Sequence, residues 1–316
     1  MTNHERTSNN NVYLDYIPDY DSLTNDLIFK SLDSIITQIP KNSKVLIKPN
    51  LISQKNCAIS CTDPRVIRSV THYFNQFQNQ VTIGDSPAFG TAKAIYQKLD
   101  MQLRELPARI VNFNKKTRVN LDNGLKIPFS THVLESDYVV NIAKLKVHNQ
   151  VGMSAAVKNI FGCVPGTRKA LHHALYGEKS NLFEQTIVSL MQHLPGSIHI
   201  LDGIQAMHIS GPTGGEPYNL GMLGMSENPV ALDTAAYSAF NLSPEHVPIW
   251  KECQRQNLSG SRKKEPLFPF YSPGQFPTGQ FTIPQQLSLV SFHPARIAKS
   301  TAKRFFLFLR DTALAR

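Results

Sequence analysis

Between Lys144 and Ala174 the sequence has no aspartate and no glutamate, yet KLKVHNQVGMSAAVKNIFGCVPGTRKALHHA carries eight basic or imidazole side chains. Lys144, Lys146, His148, Lys158, Arg168, Lys169, His172 and His173 repel one another unless an anion, a metal complex or bulk water separates them. Aromatic residues are nearly missing from the same stretch, with Phe161 alone inside it. Base-stacking platforms need several, which argues against single-stranded nucleic acid as the partner.

Other absences narrow the class. No apolar run approaches eighteen residues, so no membrane-spanning helix is expected. The polar start MTNHERTSNNN has no apolar run after its charges, which predicts no secretory signal and a cytoplasmic protein. Cysteine is scarce and scattered: Cys57, Cys61, Cys163 and Cys253, with only a CxxxC spacing between the first two. That pattern is neither a disulfide framework nor a zinc or iron–sulfur run. The familiar catalytic signatures are also incomplete. GMSAAVKN (152–159) has Val157 and Asn159 where a phosphate-binding loop needs glycine and a hydroxyl. GMSAA falls one residue short of a GxSxG elbow. GPTGGEP (211–217) lacks the strand and helix context of a dinucleotide fingerprint and reads as a flexible or ligand-hugging loop.

What remains is a 316-residue chain with a formal charge of +10 and a pI near 9.4. It is long enough to bury a real core, and its charge favours anionic partners. Short β-branched runs recur at 45–48, 81–83, 109–113, 138–142 and 198–201. Helix-like segments lie between them at 22–38, 63–77, 91–99 and 182–193. Asp63 before Pro64 is a good helix start, since aspartate caps free amides and proline suits the first turn. This alternation predicts an α/β fold, a largely parallel sheet with helices on both faces. The α/β domain is placed at 10–255, in one or two lobes, followed by an irregular Pro/Gly/Phe-rich segment and a C-terminal amphipathic helix within 256–316. On that helix Ala298, Ala302, Phe305 and Leu309 form one stripe. Self-docking, a homo-oligomer contact and peripheral attachment to an anionic membrane all suit it.

Working residues of parallel sheets sit at the carboxyl ends of strands. Lys48-Pro49-Asn50, Gly84-Asp85, Lys144 to His148 and Asp202-Gly203 are expected on loops there. Gly152 to Phe161 is expected as a helix whose small first residues, Ser154 among them, leave free amides and a positive dipole end to an anion. Lys158 and Asn159 follow about two turns in.

Several of these stretches carry a family resemblance. VLIKPNLIS, TDPRVIRSV, VTIGDSP, YVVNIAKLKVH, VGMSAAVKNIFGCVPG and NPVALDTAA, in that order over roughly residues 44–240, resemble the family catalogued as domain of unknown function number 362. Many relatives carry a ferredoxin-like cysteine module. This chain has none, so an iron–sulfur cluster is not expected in it. A more distant resemblance is to nickel-pincer lactate racemases. It implies that His148 is an acid/base residue, that Lys158 holds an anionic or nucleotide-type cofactor, and that His173 or His172 ligates a metal. The racemases use a second acid/base histidine, but GDSPAFGT supplies none, and Asp85 stands nearest to its place.

The resulting expectation is an enzyme acting on an anionic small molecule by isomerisation, epimerisation or related redox chemistry. His148, Asp85 and Lys146 are its catalytic candidates. Lys158, Lys48, Asn50, Asp63, Ser154, Asn159, Lys144 and Asp202 are its binding candidates, and His172 and His173 its metal candidates. The alternative is a non-enzymatic basic module for a membrane surface or nucleic acid, with nucleic acid disfavoured.

Overall fold

A computed structural model describes residues 9–36, 41–99, 106–165 and 181–287. The strands are β1 (Tyr13–Tyr16), β2 (Lys44–Pro49), β3 (Gln80–Asp85), β4 (Arg109–Asn112), β5 (Lys116–Asn120), β6 (Lys126–Ser130), β7 (Tyr138–His148), β8 (Gly152–Ser154), β9 (Gly196–His208) and β10 (Glu216–Ser226). The α-helices are α1 (Asn25–Ile35), α2 (Cys57–Ser60), α3 (Pro64–Asn75), α4 (Ala92–Leu99), α5 (Thr131–Leu134), α6 (Ala156–Ile160), α7 (Leu182–Ser189), α8 (Pro229–Ala239) and α9 (Pro248–Arg255).

The main sheet runs β1-β10-β9-β7-β2-β3-β4, with β8 paired to β7 off this path. Its centre, β9-β7-β2-β3-β4, is parallel throughout, and β10 and β1 add an antiparallel edge. The fold is therefore α/β with a mostly parallel eight-stranded sheet. Period-two alternation sends Val45 and Ile47 to one face of β2 and Leu46 to the other. The first face is covered by α1, α3 and α4 through Ile28, Leu32, Val66, Val70 and Ile95. The other is covered by α6, α7, α8 and α9 through Val157, Ile160, Ile187, Leu232 and Trp250.

Local signals account for the main helix starts. Asp63 accepts from the Arg65 amide at 2.8 Å ahead of Pro64, and Thr24 and Asn228 cap α1 and α8 in the same way. On α3 the apolar residues Val66, Ile67, Val70, Tyr73 and Phe74 recur at helical spacing and are buried together.

Three expectations fail. Lys144 to His148 is not a loop, because β7 continues through it to pair with β8 and with the far part of β9. Asp202-Gly203 likewise lies within β9 rather than after it. Gly152 does not begin a helix. It opens β8 at a φ of +74°, where a Cβ would lie 1.8 Å from the carbonyl oxygen of His246, so the helix starts only at Ala156. The stretch at 260–286 is irregular as expected; its first part runs along β1 and its later part meets β9, β10 and the end of α8. The C-terminal stripe from Ala298 to Leu309 lies outside the described residues.

Candidate functional site

The chain leaves β2 towards β3 and β4 on one side, then returns to build β7 and β9 on the other. The boundary between β2 and β7 is thus the switch point at which crevices form in open α/β sheets. The polar residues converge there in two connected groups.

The first group is centred on Lys48, which is 1% exposed. Its ammonium lies 3.1 Å from Asp85 Oδ1 and donates to Pro49 O at 3.1 Å and Asn159 Oδ1 at 3.3 Å. Asp85 also accepts from the amides of Leu51 and Ser86. Asn50 donates to Asn159 Oδ1 at 2.8 Å, and Asn159 donates to Asn141 Oδ1 at 2.8 Å. Asn141 donates in turn to Ala156 O and to His199 Nδ1. His199 is held neutral, since burial lowers its pKa to about 3. Lys146 donates to Asn50 Oδ1 and to Ser60 O.

The second group is a fully buried ion pair between Lys144 and Asp202 at 3.0 Å. The Tyr20 hydroxyl donates to Asp202 Oδ1, and Lys144 donates to that hydroxyl. Burial, then the Asp202 charge, raises the Tyr20 pKa well above its ordinary value. Thr62 and Asp63 join the groups. The Asn50 amide donates to Thr62 Oγ1, and the Asp63 amide donates to Asp202 Oδ2 at 2.9 Å. A cavity of about 470 Å³ lined by Tyr20, Asp63, Arg65, Arg68 and Gln205 adjoins this second group.

Charge is unevenly matched. Four lysines, Lys48, Lys144, Lys146 and Lys158, meet two carboxylates, Asp85 and Asp202, and both are taken, while the Asp63 carboxylate pairs with Arg65. Lys146 is 1% exposed and has only neutral acceptors. Burial, opposed by the Cys61 thiol and reinforced by Lys158 and Lys144, lowers its pKa to about 7. Lys158 is partly buried and lies 5.9 Å from the Phe161 ring centre, with no carboxylate partner among the described residues. Burial, then the neighbouring Lys48 charge, lowers its pKa to about 8.

The structure therefore brings together Lys48, Asn50, Asp85, Lys146 and Asn159, places Lys158 within their field, and joins Asp63, Lys144 and Asp202 to them. Ser154 faces Lys146 across the β7–β8 pair, and His148 faces Gly152. His148 Nδ1 accepts from the Gln150 amide at 3.2 Å, so a neutral ring carries its proton on Nε2. His172 and His173 lie outside the described residues. Among the described residues no three His, Cys, Asp or Glu side chains converge on a metal position, and the four cysteines are free and buried.

One expectation is overturned. The amides opening α6 are not open to an anion, because Asp233 accepts from Ala156 at 2.6 Å and Val157 at 3.0 Å. Sequence reasoning also missed Tyr20, Asn141 and His199, and took Gly162 only as part of a glycine and proline pile-up with Pro165 and Gly166. Asn141 and His199 were visible as polar residues inside apolar strands, whereas Tyr20 carries no local signal. A Cβ on Gly162 would lie 2.4 Å from Lys48 Nζ and 2.6 Å from Asp85 Oδ1. Gly162→Ala is therefore expected to push this pair apart and cost about 1–3 kcal/mol, read by urea unfolding. An unchanged midpoint would mean that the pair has room to shift.

The fold and the buried polar network define an α/β protein with a lysine-rich site at its switch point. The chain belongs to the DUF362 family, described as a domain of unknown function, whose pattern matches residues 45–238. A thylakoid-associated protein of Synechocystis sp., sll1697, is 31% identical over 273 residues, spanning 85% of each chain. The lactate racemase apoprotein from Thermoanaerobacterium thermosaccharolyticum is structurally similar at a TM-score of 0.44 and 11% identity, over 72% of this chain and 57% of that one. The chain thus spans little more than half the length of the racemase. No helix among the described residues is long and apolar enough to cross a membrane.

Proposed function

We propose that this chain is an enzyme that takes an anionic small molecule into the crevice between β2 and β7 and moves a proton, or performs related redox chemistry, at a carbon bearing a hydroxyl or carboxylate. The observation that carries the reading is the pair of lysines, Lys146 and Lys158, left without a carboxylate partner among the described residues beside two buried ion pairs. An incoming anion supplies the missing negative charge in a largely buried site. Amines with pKa values of about 7 and about 8 exchange protons near neutral pH, as acid/base groups must. His148, with Nε2 as its proton-bearing atom when neutral, is the second acid/base group. Asp85 has both oxygens engaged and serves to position Lys48. An anionic cofactor, where one binds, would be held by Lys158 and Lys146 and would supply the hydride or electron chemistry that these side chains lack.

A second reading keeps the same lysines in a non-enzymatic module for an anionic partner. The thylakoid association in the name of the Synechocystis relative supports it, and would set this chain at a membrane surface.

The lysines set a direction for pH. Between their lowered pKa values and the ordinary 10.5 they bind fewer protons in the folded than in the unfolded chain. Their contribution to stability therefore rises with pH through that window, and their penalty is complete below about pH 7. Lys158→Met keeps most of the apolar length and removes the charge. Without ligand it is expected to melt at or slightly above wild type. Affinity for the recognised anion should fall about 10- to 100-fold, the equivalent of a charge-assisted contact. Thermal shifts with pyrophosphate, nucleotides and 2-hydroxy acids measure both. If every anion shifts the two proteins equally, Lys158 is a bystander and the crevice reading fails.

A further inference from the structure

A different surface lies at the outer edge of the sheet. Residues 266–276 run along β1, with Leu267 bonded to Asn10 and Val12, and Tyr271 bonded to Leu14. This segment leaves Leu267, Phe270 and Tyr271 exposed at 61%, 40% and 41%, beside Tyr16 at 44%. These are four of the eight large apolar side chains exposed among the described residues. They flank this edge from both sides of the sheet, Phe270 on the side of α1 and Tyr16 and Tyr271 on the side of α8. Phe270 packs edge-on against Tyr13 at 5.4 Å, and Tyr16 and Tyr271 both flank the buried Phe276 at 6.3 Å.

The rim of the patch is basic. Lys30 lies 5.7 Å from the Phe270 ring centre, and Arg262, Lys263 and Lys264 stand exposed in the turn that leads into Leu267. Of the acids nearby, Asp15 accepts from Ser31, Asp21 pairs with Arg65, Glu265 is partly buried beside Arg262, and Asp19 and Asp26 are exposed. Aromatic rings at the level of a surface, flanked by long cationic side chains, match the boundary between headgroups and acyl chains of a bilayer. Lysine stems can lie on the apolar layer while their ammonium groups reach lipid phosphates. A second copy is a poorer occupant, since a two-fold contact would bring the basic rim against its own image.

We propose that the chain docks on anionic lipid through this edge, with Leu267, Phe270, Tyr271 and Tyr16 entering the interface and Lys30, Arg262, Lys263 and Lys264 meeting the headgroups. The proposal is independent of the crevice chemistry and concerns a surface other than the C-terminal stripe. Its test uses the full chain and sedimentation with vesicles of phosphatidylcholine, alone or mixed with phosphatidylglycerol. Wild type should bind the mixed vesicles and lose them as salt rises. Lys263→Gln with Lys264→Gln should weaken binding about tenfold or more. Phe270→Trp adds a reporter, because Trp250, the only other tryptophan, is buried. Its emission should move to the blue on vesicles and be quenched by brominated lipid. Leu267→Ser with Tyr271→Ser should also release the protein, and if that variant melts early the charge variant and the reporter decide. Failure of wild type to bind the mixed vesicles overturns the proposal. So does binding that survives the charge substitutions, which would assign it to another basic segment, or a dimer that Leu267→Ser dissociates without any vesicle binding.

Discussion

Asp202→Ala is expected to lower the melting temperature by on the order of 10 °C, the consequence of losing about 3–5 kcal/mol. Asp202 and Lys144 are both fully buried, and the carboxylate also receives the Tyr20 hydroxyl and the Asp63 amide. Removing it leaves one buried ammonium, one phenol and one amide without their shared carboxylate. The contrast is the double variant Lys144→Met with Asp202→Leu, which removes both charges at similar volume and should recover most of the loss, because a buried ion pair gains little over apolar packing. Calorimetry on wild type, Lys144→Met, Asp202→Leu and the double variant closes the cycle. A single variant melting within a degree or two of wild type would show that the pair is hydrated in solution and does not anchor this end of the site.

The second large effect is expected at Asp233. Its carboxylate meets the first two amides of α6 and accepts from Tyr237. Asp233→Ala leaves two buried amides unmet at about 1–3 kcal/mol each. Because α6 carries Lys158 and Asn159, anion affinity should fall with stability. Burial pushes the Asp233 pKa up to about 7 from its ordinary 3.8. In that window the folded chain holds a proton that the unfolded chain has released, so this group's contribution is lost as pH rises through it. Asp233→Asn cannot titrate. Urea unfolding of wild type and Asp233→Asn should therefore show a gap in favour of wild type that is larger at pH 5 than at pH 8. A gap independent of pH would refute the linkage.

Much of the fold was legible because its determinants are local. Val45 to Lys48, Val81 to Ile83 and Tyr138 to Ile142 are apolar, β-branched runs, and Asp63-Pro64 marks a helix start within two residues. The site was legible as a set of residue types and misread as geometry. Lys144 and Lys146 looked like a loop since lysine is rarely buried in a strand. Their burial depends on partners that no local window contains. Asp202 lies 58 residues beyond Lys144, and Asn50 lies 96 before Lys146. The stretch without acids is real in sequence, and in space one of its lysines is matched, since Asp202 meets Lys144, while Asp85 meets Lys48 outside the stretch. What survives, at Lys146 and Lys158, is the part that marks a site. The cap on α6 escaped for the same reason, since Asp233 is 77 residues from the amide of Ala156.

Those separations bear on how the chain reaches its native state. Tyr20 meets Lys144 across 124 residues, and Lys48 meets Asn159 across 111. Each such closure carries an entropic cost that neighbouring strands must already have offset, and parallel sheets close their contacts late. The charged network at the switch point can be completed only after β2, β7 and β9 are aligned, so it contributes little to the transition state for folding. Substitutions within it will then act mainly on the rate of unfolding and leave refolding nearly unchanged. The lysine crevice thereby doubles as a kinetic latch on the assembled sheet, closing last and setting how long the native state survives.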